Sequence, residues 1–85
     1  MKFTAEIDIM PHRELLDPQG KTVANSMKNI DIPGVEDVRI GKHITMLLEA
    51  GSEQDAREKV ETACKKLLAN PVIEAYAFKV APAAE

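Results

Sequence analysis

Ile32-Pro33-Gly34-Val35-Glu36-Asp37-Val38-Arg39-Ile40-Gly41-Lys42-His43-Ile44-Thr45-Met46-Leu47-Leu48-Glu49-Ala50 opens on a Pro-Gly turn. Apolar residues then fall at Val38, Ile40, Ile44, Met46 and Leu48. These positions share one parity, as expected of β-structure with one face inward. Gly41-Lys42-His43 interrupts the row where a glycine lets the backbone turn. A two-residue loop at Gly41-Lys42 would set Ile40 opposite His43 and mix apolar with polar residues on one face. A three-residue loop from Gly41 to His43 pairs Ile40 with Ile44 and Val38 with Met46, keeping one apolar face. One long bent strand preserves the same parity. The predicted arrangement is a hairpin, with the bent strand as its alternative.

Working outward toward the N-terminus, residues 2 to 9 alternate. Phe3, Ala5, Ile7 and Ile9 lie on one side, and Lys2, Thr4, Glu6 and Asp8 on the other. Pro11 closes this strand, because proline cannot donate to a ladder. In Leu15-Leu16-Asp17-Pro18-Gln19-Gly20, Asp17 is placed to cap a helix whose first residue is Pro18. Val23, Ala24, Met27 and Ile30 follow at amphipathic spacing. Gly20 weakens the first turn or serves a close contact, and Pro33 stops the helix.

On the C-terminal side, Ser52-Glu53-Gln54-Asp55 resembles a capping box, with aspartate in place of the usual Glu or Gln. Ala56, Val60, Ala63, Cys64 and Leu67 continue at helical spacing, with Asp55–Lys59 and Glu61–Lys65 as acid-before-base pairs on the outer face. Asn70-Pro71 ends this helix. Val72 to Val80 is the last predicted strand, with Tyr76, Phe78 and Val80 on one side. Ile73, Ala75 and Ala77 make its other side apolar as well. Such a strand points to a second surface beyond the monomer's own core, and hence to a homodimer or higher even-numbered assembly. Residues 81–85 are expected to be a frayed tail.

The order strand, helix, strand, strand, helix, strand describes a ferredoxin-like split βαβ sandwich of the α+β class. In it a four-stranded antiparallel sheet carries two helices on one face. The open face would include Thr4, Glu6, Arg39, Thr45 and Leu47. Eighty-five residues make one domain, 1–85, whose own core is modest.

Composition narrows the function. A net charge of −3 and a pI of about 5.4 argue against a nucleic-acid binder, and three aromatic residues are too few for a base-stacking platform. No apolar run reaches the length of a membrane span, and the single Cys64 fits a reducing, cytoplasmic setting. His12 and His43 read as solvated surface residues and Cys64 as a small core residue, with no metal-ligand spacing, phosphate-loop glycines or acid–base pair. Asp17 to Gly20 is explained by a helix start, or else by a helix N-terminus that meets a partner. Arg39 and Lys42 at the rim of the hairpin are solvated cations or a docking point.

Leu16-Asp17-Pro18-Gln19-Gly20, Asp37-Val38-Arg39-Ile40-Gly41-Lys42 and Leu67-Leu68-Ala69-Asn70-Pro71-Val72-Ile73-Glu74, together with Tyr76, resemble the signature segments of the PurS family. That family is the small subunit of phosphoribosylformylglycinamidine synthase. The segments come in the family's order and span nearly the whole chain. Pro11 to Glu14 and the tail are where the pattern says least. The resemblance implies a subunit of an ATP- and glutamine-dependent ligase of purine biosynthesis, which converts formylglycinamide ribonucleotide to its amidine. It further implies a PurQ-type glutaminase and a PurL-type synthetase as partners, which this subunit bridges while assisting ammonia transfer. ATP and magnesium would sit on the synthetase, with no cofactor and no catalytic residue on this chain. Partner-contact candidates are then Asp17, Gln19, Gly20, Arg39, Gly41, Lys42, Asn70 and Pro71. The alternative is a ferredoxin-like regulatory module that binds a small metabolite at a dimer interface.

Overall fold

The computed structural model describes residues 1–83. Strand β1 (Lys2–Pro11) leads to helix α1 (Pro18–Ser26) and a 3-10 turn, Met27–Ile30. Strand β2 (Lys42–Glu49) precedes helix α2 (Glu53–Ala63), which runs on into a π turn, Cys64–Leu68, and then strand β3 (Glu74–Pro82). Asp17 caps α1, its carboxylate accepting the Gly20 N–H, and Ser52 caps α2 by accepting from Asp55 N–H. Both expected acid–base pairs form on the outside of α2, each at 3.3 Å.

The sheet has three antiparallel strands in the order β2-β1-β3, not the four expected. The predicted hairpin does not form, because residues 35–41 belong to no ladder. Their backbone is engaged elsewhere. Ile40 N–H donates to the Asp17 carboxylate at 2.8 Å, and the Val38 carbonyl rests against Gly20. With its hydrogen-bonding groups turned toward the start of α1, this segment cannot pair as an edge strand. Gly41 then passes against the Ile9 carbonyl and the Met10 sulfur, and β2 begins at Lys42, paired directly with β1.

Register puts Phe3, Ala5, Ile7 and Ile9 on one sheet face with Ile44, Met46 and Leu48 of β2 and Tyr76, Phe78 and Val80 of β3. The β1 residues of this row are buried, together with Ala56, Val60 and Cys64 from the second helical stretch. Each large side chain fully buried there stabilises the fold by roughly 1.5–3 kcal/mol. The Tyr76 hydroxyl donates to Glu61 at 3.0 Å, tying β3 to α2. Only α2 lies on the sheet, over β1 and β3, so the expectation of two helices packed on one face also fails. Of α1 only Gly20 is buried.

The last strand starts at Glu74, two residues later than expected, because Asn70 organises a turn. Its carbonyl accepts from Ile73 N–H and Glu74 N–H, and its side chain from Val72 N–H. It also runs past Val80. Ala81 and Pro82 pair with β1, and Ala83 N–H donates to Lys2, so the frayed tail does not begin at 81. Residues 84 and 85 of that expected tail lie outside the described residues.

Candidate functional site: three loops locked at one end of the sheet

The segments 11–20, 38–42 and 70–74 are distant in sequence and meet at one end of β1. Arg39 is the hub. Its guanidinium donates to the carbonyls of His12 at 2.7 Å, Pro11 at 3.2 Å, Arg13 at 3.3 Å and Leu15 at 3.4 Å. A planar fork of five donors suits such a ring of carbonyls, which a lysine could not satisfy. The expectation that Arg39 lies on an open sheet face as a solvated cation is therefore corrected: it ties the loop after β1 to the segment before β2.

Asp17 is the second tie. Its Oδ1 accepts from Gly20 N–H at 2.9 Å and its Oδ2 from Ile40 N–H at 2.8 Å. These two backbone bonds, Gly20's the stronger influence, hold its carboxyl below the usual aspartate range, with the Arg39 charge adding to them. Gly20 is required at its place because a Cβ there would collide with the Val38 carbonyl. A Cβ on Gly41 would likewise strike the Ile9 carbonyl.

The third segment joins through His12 and Glu74. His12 N–H donates to the Ile73 carbonyl at 2.9 Å, and its ring Nε2 donates to the Pro71 carbonyl at 3.4 Å. Glu74 accepts from Asn70 N–H at 2.8 Å and pairs with Lys42 at 3.6 Å. All eight sequence-predicted residues thus gather in one region, in two roles. Asp17, Gly20, Arg39, Gly41 and Asn70 build the framework, while Gln19, Lys42 and Pro71 are exposed on it.

The sequence reading marked Ile73 as part of a second apolar surface but missed Leu15, Leu16 and Val72 at the rim of this region. Leu16 and Val72 are 75% and 81% exposed, and Leu15 and Ile73 are also open to solvent. A groove of about 370 Å³ runs between Pro11, Leu15, Leu16, Pro18 and Ile73. The available signal was two apolar pairs, Leu15-Leu16 and Val72-Ile73, each beside an Asp-Pro or Asn-Pro step at the boundary of an element.

A second cluster also escaped notice. On the sheet face away from α2, His43 Nδ1 meets Asp8 and Nε2 meets Glu6, both at 2.6 Å, and the Thr45 hydroxyl donates to Glu6 at 2.9 Å. Both ring nitrogens donate only in the imidazolium. These two bonds, Asp8's first, raise the His43 pKa, and the His43 bond lowers that of Glu6. Cys64 is a buried free thiol whose pKa is raised by desolvation. Among the described residues, no group of three or more His, Cys, Asp or Glu side chains is arranged to hold a metal ion. No helix among them is long and apolar enough to cross a membrane.

The PurS family model, described as phosphoribosylformylglycinamidine (FGAM) synthase, matches residues 4–82. The PurS subunit of phosphoribosylformylglycinamidine synthase from Synechocystis sp. is 44% identical over 66 residues, 78% of this chain and 66% of that protein. Its counterpart from Methanocaldococcus jannaschii is 36% identical over 78 residues, covering 92% of this chain and 94% of the relative. Among solved structures, a chain of PurLQS from Thermotoga maritima superposes with a TM-score of 0.86 at 33% identity, covering 95% of this chain and 99% of that one. With a family match along nearly its whole length, this chain belongs to the PurS family, a subunit of phosphoribosylformylglycinamidine synthase in purine biosynthesis.

Proposed function

We propose that this subunit bridges a PurL-type synthetase and a PurQ-type glutaminase, and that the locked end of the sheet is one of its docking surfaces. The observation that carries the reading is an apolar rim held on a rigid polar framework. Leu15, Leu16 and Ile73 stand exposed along a groove and Val72 is exposed next to Ile73; Arg39 and Asp17 fix the first loop, and His12 and Asn70 fix the loop bearing Val72 and Ile73. Exposed apolar side chains grouped on rigid loops are what a partner surface needs, since little order is lost on binding. Gln19 and Lys42 form the polar part of the same surface, with Pro71 exposed beside them. In this reading ATP, magnesium and the glutamine chemistry belong to the synthetase and glutaminase partners. Holding the two together in the cytoplasm, the subunit assists ammonia passage from one to the other. It also associates with itself, in keeping with the apolar residues that its own core leaves uncovered.

The test is co-elution of the three purified proteins. Leu16→Glu/Val72→Glu changes two exposed residues, so the melting temperature should stay within a few degrees while the complex with the synthetase or the glutaminase is lost. A double variant that co-eluted with both partners as the native chain does would remove this end from the docking surface.

A further inference from the structure

The spacing of α2 predicts Leu67 on its buried stripe, since it stands seven residues after Val60, about two turns along the same face. The structure puts it outside. Leu67 is 81% exposed, while its neighbour Leu68 packs against the core cluster that includes Val60, Cys64 and Ala69. The π turn Cys64–Leu68 is the cause. Ala69 N–H donates to the Cys64 carbonyl at 3.0 Å, five residues back instead of the α-helical four. The turn holds one residue more than an α-helical turn, and that residue shifts the stripe from Leu67 to Leu68. The core stays filled, and a second leucine is left standing out.

Cations flank this knob. Lys65 and Lys66 occupy the same turn, both exposed, with Lys65 paired to Glu61 at 3.3 Å. On a chain of net charge −3 they make a local positive spot with an apolar side chain beside it. Lysines at a helix C-terminus complement its dipole, which accounts for their charge but not for an outward leucine. The turn runs directly into the 70–74 loop, so the knob borders the locked end.

We infer that Leu67 is an anchor residue: the π turn presents it, with Lys65 and Lys66, to an apolar pocket bordered by carboxylates on another subunit of the assembly. The inference rests on the bridging role proposed above, and it adds a convex contact to the concave groove of the locked end. A leucine on a turn already held by backbone bonds loses little order when it is buried. A second copy of this chain is the poorer occupant. Two copies meeting at Leu67 about a two-fold axis would bring Lys65 and Lys66 of both together, and like charges oppose such a contact.

Deletion of Leu67 is the sharpest test. It removes the extra residue, so the bond from Ala69 to Cys64 becomes an ordinary α-helical one and Leu68 keeps its place on the stripe. The melting temperature should stay within a few degrees. Leu67→Glu, at an exposed position, is a second variant that keeps the turn intact. In titrations with a purified PurL-type synthetase and a purified PurQ-type glutaminase, both variants should bind one of the two roughly tenfold or more weakly. Lys66→Glu should weaken the same binding severalfold, by less as salt is raised. Light scattering should return the native mass for every variant. Native affinity of folded Leu67→Glu for both partners, with Leu16→Glu/Val72→Glu still defective, would overturn this inference and leave the groove as a docking surface. Native affinity in both variants would overturn the docking role of the whole end. A changed mass for Leu67→Glu would assign the leucine to contacts between copies and overturn the inference as well.

Discussion

α2 and α1 both carry apolar residues at helical spacing, and they are held in opposite ways. α2 is anchored by its apolar stripe: Ala56 and Val60, with Cys64 of the turn that follows, are buried against β1 and β3. α1 is anchored chiefly at its first turn, by two bonds to the Asp17 carboxylate and a glycine pressed on a carbonyl, and its half-buried stripe lies outside the core cluster. Apolar spacing therefore says that a helix needs a partner surface, but not whose surface it is. α2 finds it within the chain. α1 is held away from the chain's own sheet by a polar lock.

The largest expected effects come from removing each anchor. Val60→Ala should lower unfolding free energy by about 2 kcal/mol through the cavity it leaves. Arg39→Ala should cost somewhat less, on the order of 1.5 kcal/mol, because the freed carbonyls can reach water. Native-state amide exchange distinguishes the two. Val60→Ala should accelerate exchange throughout α2 and the sheet, whereas Arg39→Ala should do so mainly at Leu15, Lys21 and Ile40, whose amides lie in the lock or just beside it. Uniform acceleration in both variants would mean that the lock is simply part of the core.

These residues also show what could be read from the sequence. The alternation of residues 2–9, the Asp17 and Ser52 caps and the stripe of α2 are local patterns, and each appears in the structure. The hairpin failed because parity at Val38 and Ile40 is compatible with any extended segment. What decided the matter was a long-range bond from Ile40 to Asp17, which leaves no trace in spacing. Asp17, Gly20, Arg39 and Gly41 stood out on local grounds, as a cap, a close contact, a rim cation and a turn, and the family resemblance made them contact candidates; their role as ties among three loops became visible only with those loops in one place. Leu16 and Val72 drew no notice because an apolar residue next to a turn is ordinary until its neighbours are known.

A smaller effect belongs to the sheet face that α2 does not cover, where polar contacts replace packing. His43 has a raised pKa, so its contribution is complete below its unfolded value, near 6.5, and is lost as pH climbs through the higher folded value. Glu6 has a lowered pKa, so its contribution is complete above its unfolded value, near 4.5, and is lost as pH falls through the lower folded value. The clamp should therefore act most fully between about pH 4.5 and 6.5. His43→Gln should lower the melting temperature in that window and leave it nearly unchanged well above the folded His43 value. A pH-independent loss would assign His43 a packing role instead.

The bridging role is tested most directly by turnover in the reconstituted three-protein mixture containing Leu16→Glu/Val72→Glu. Glutamine-dependent synthesis should fall roughly tenfold or more, since charges set against an interface weaken it strongly. Synthesis supplied with free ammonia should be unchanged, because that route needs only the synthetase. Normal glutamine-dependent turnover by the folded double variant would contradict the account.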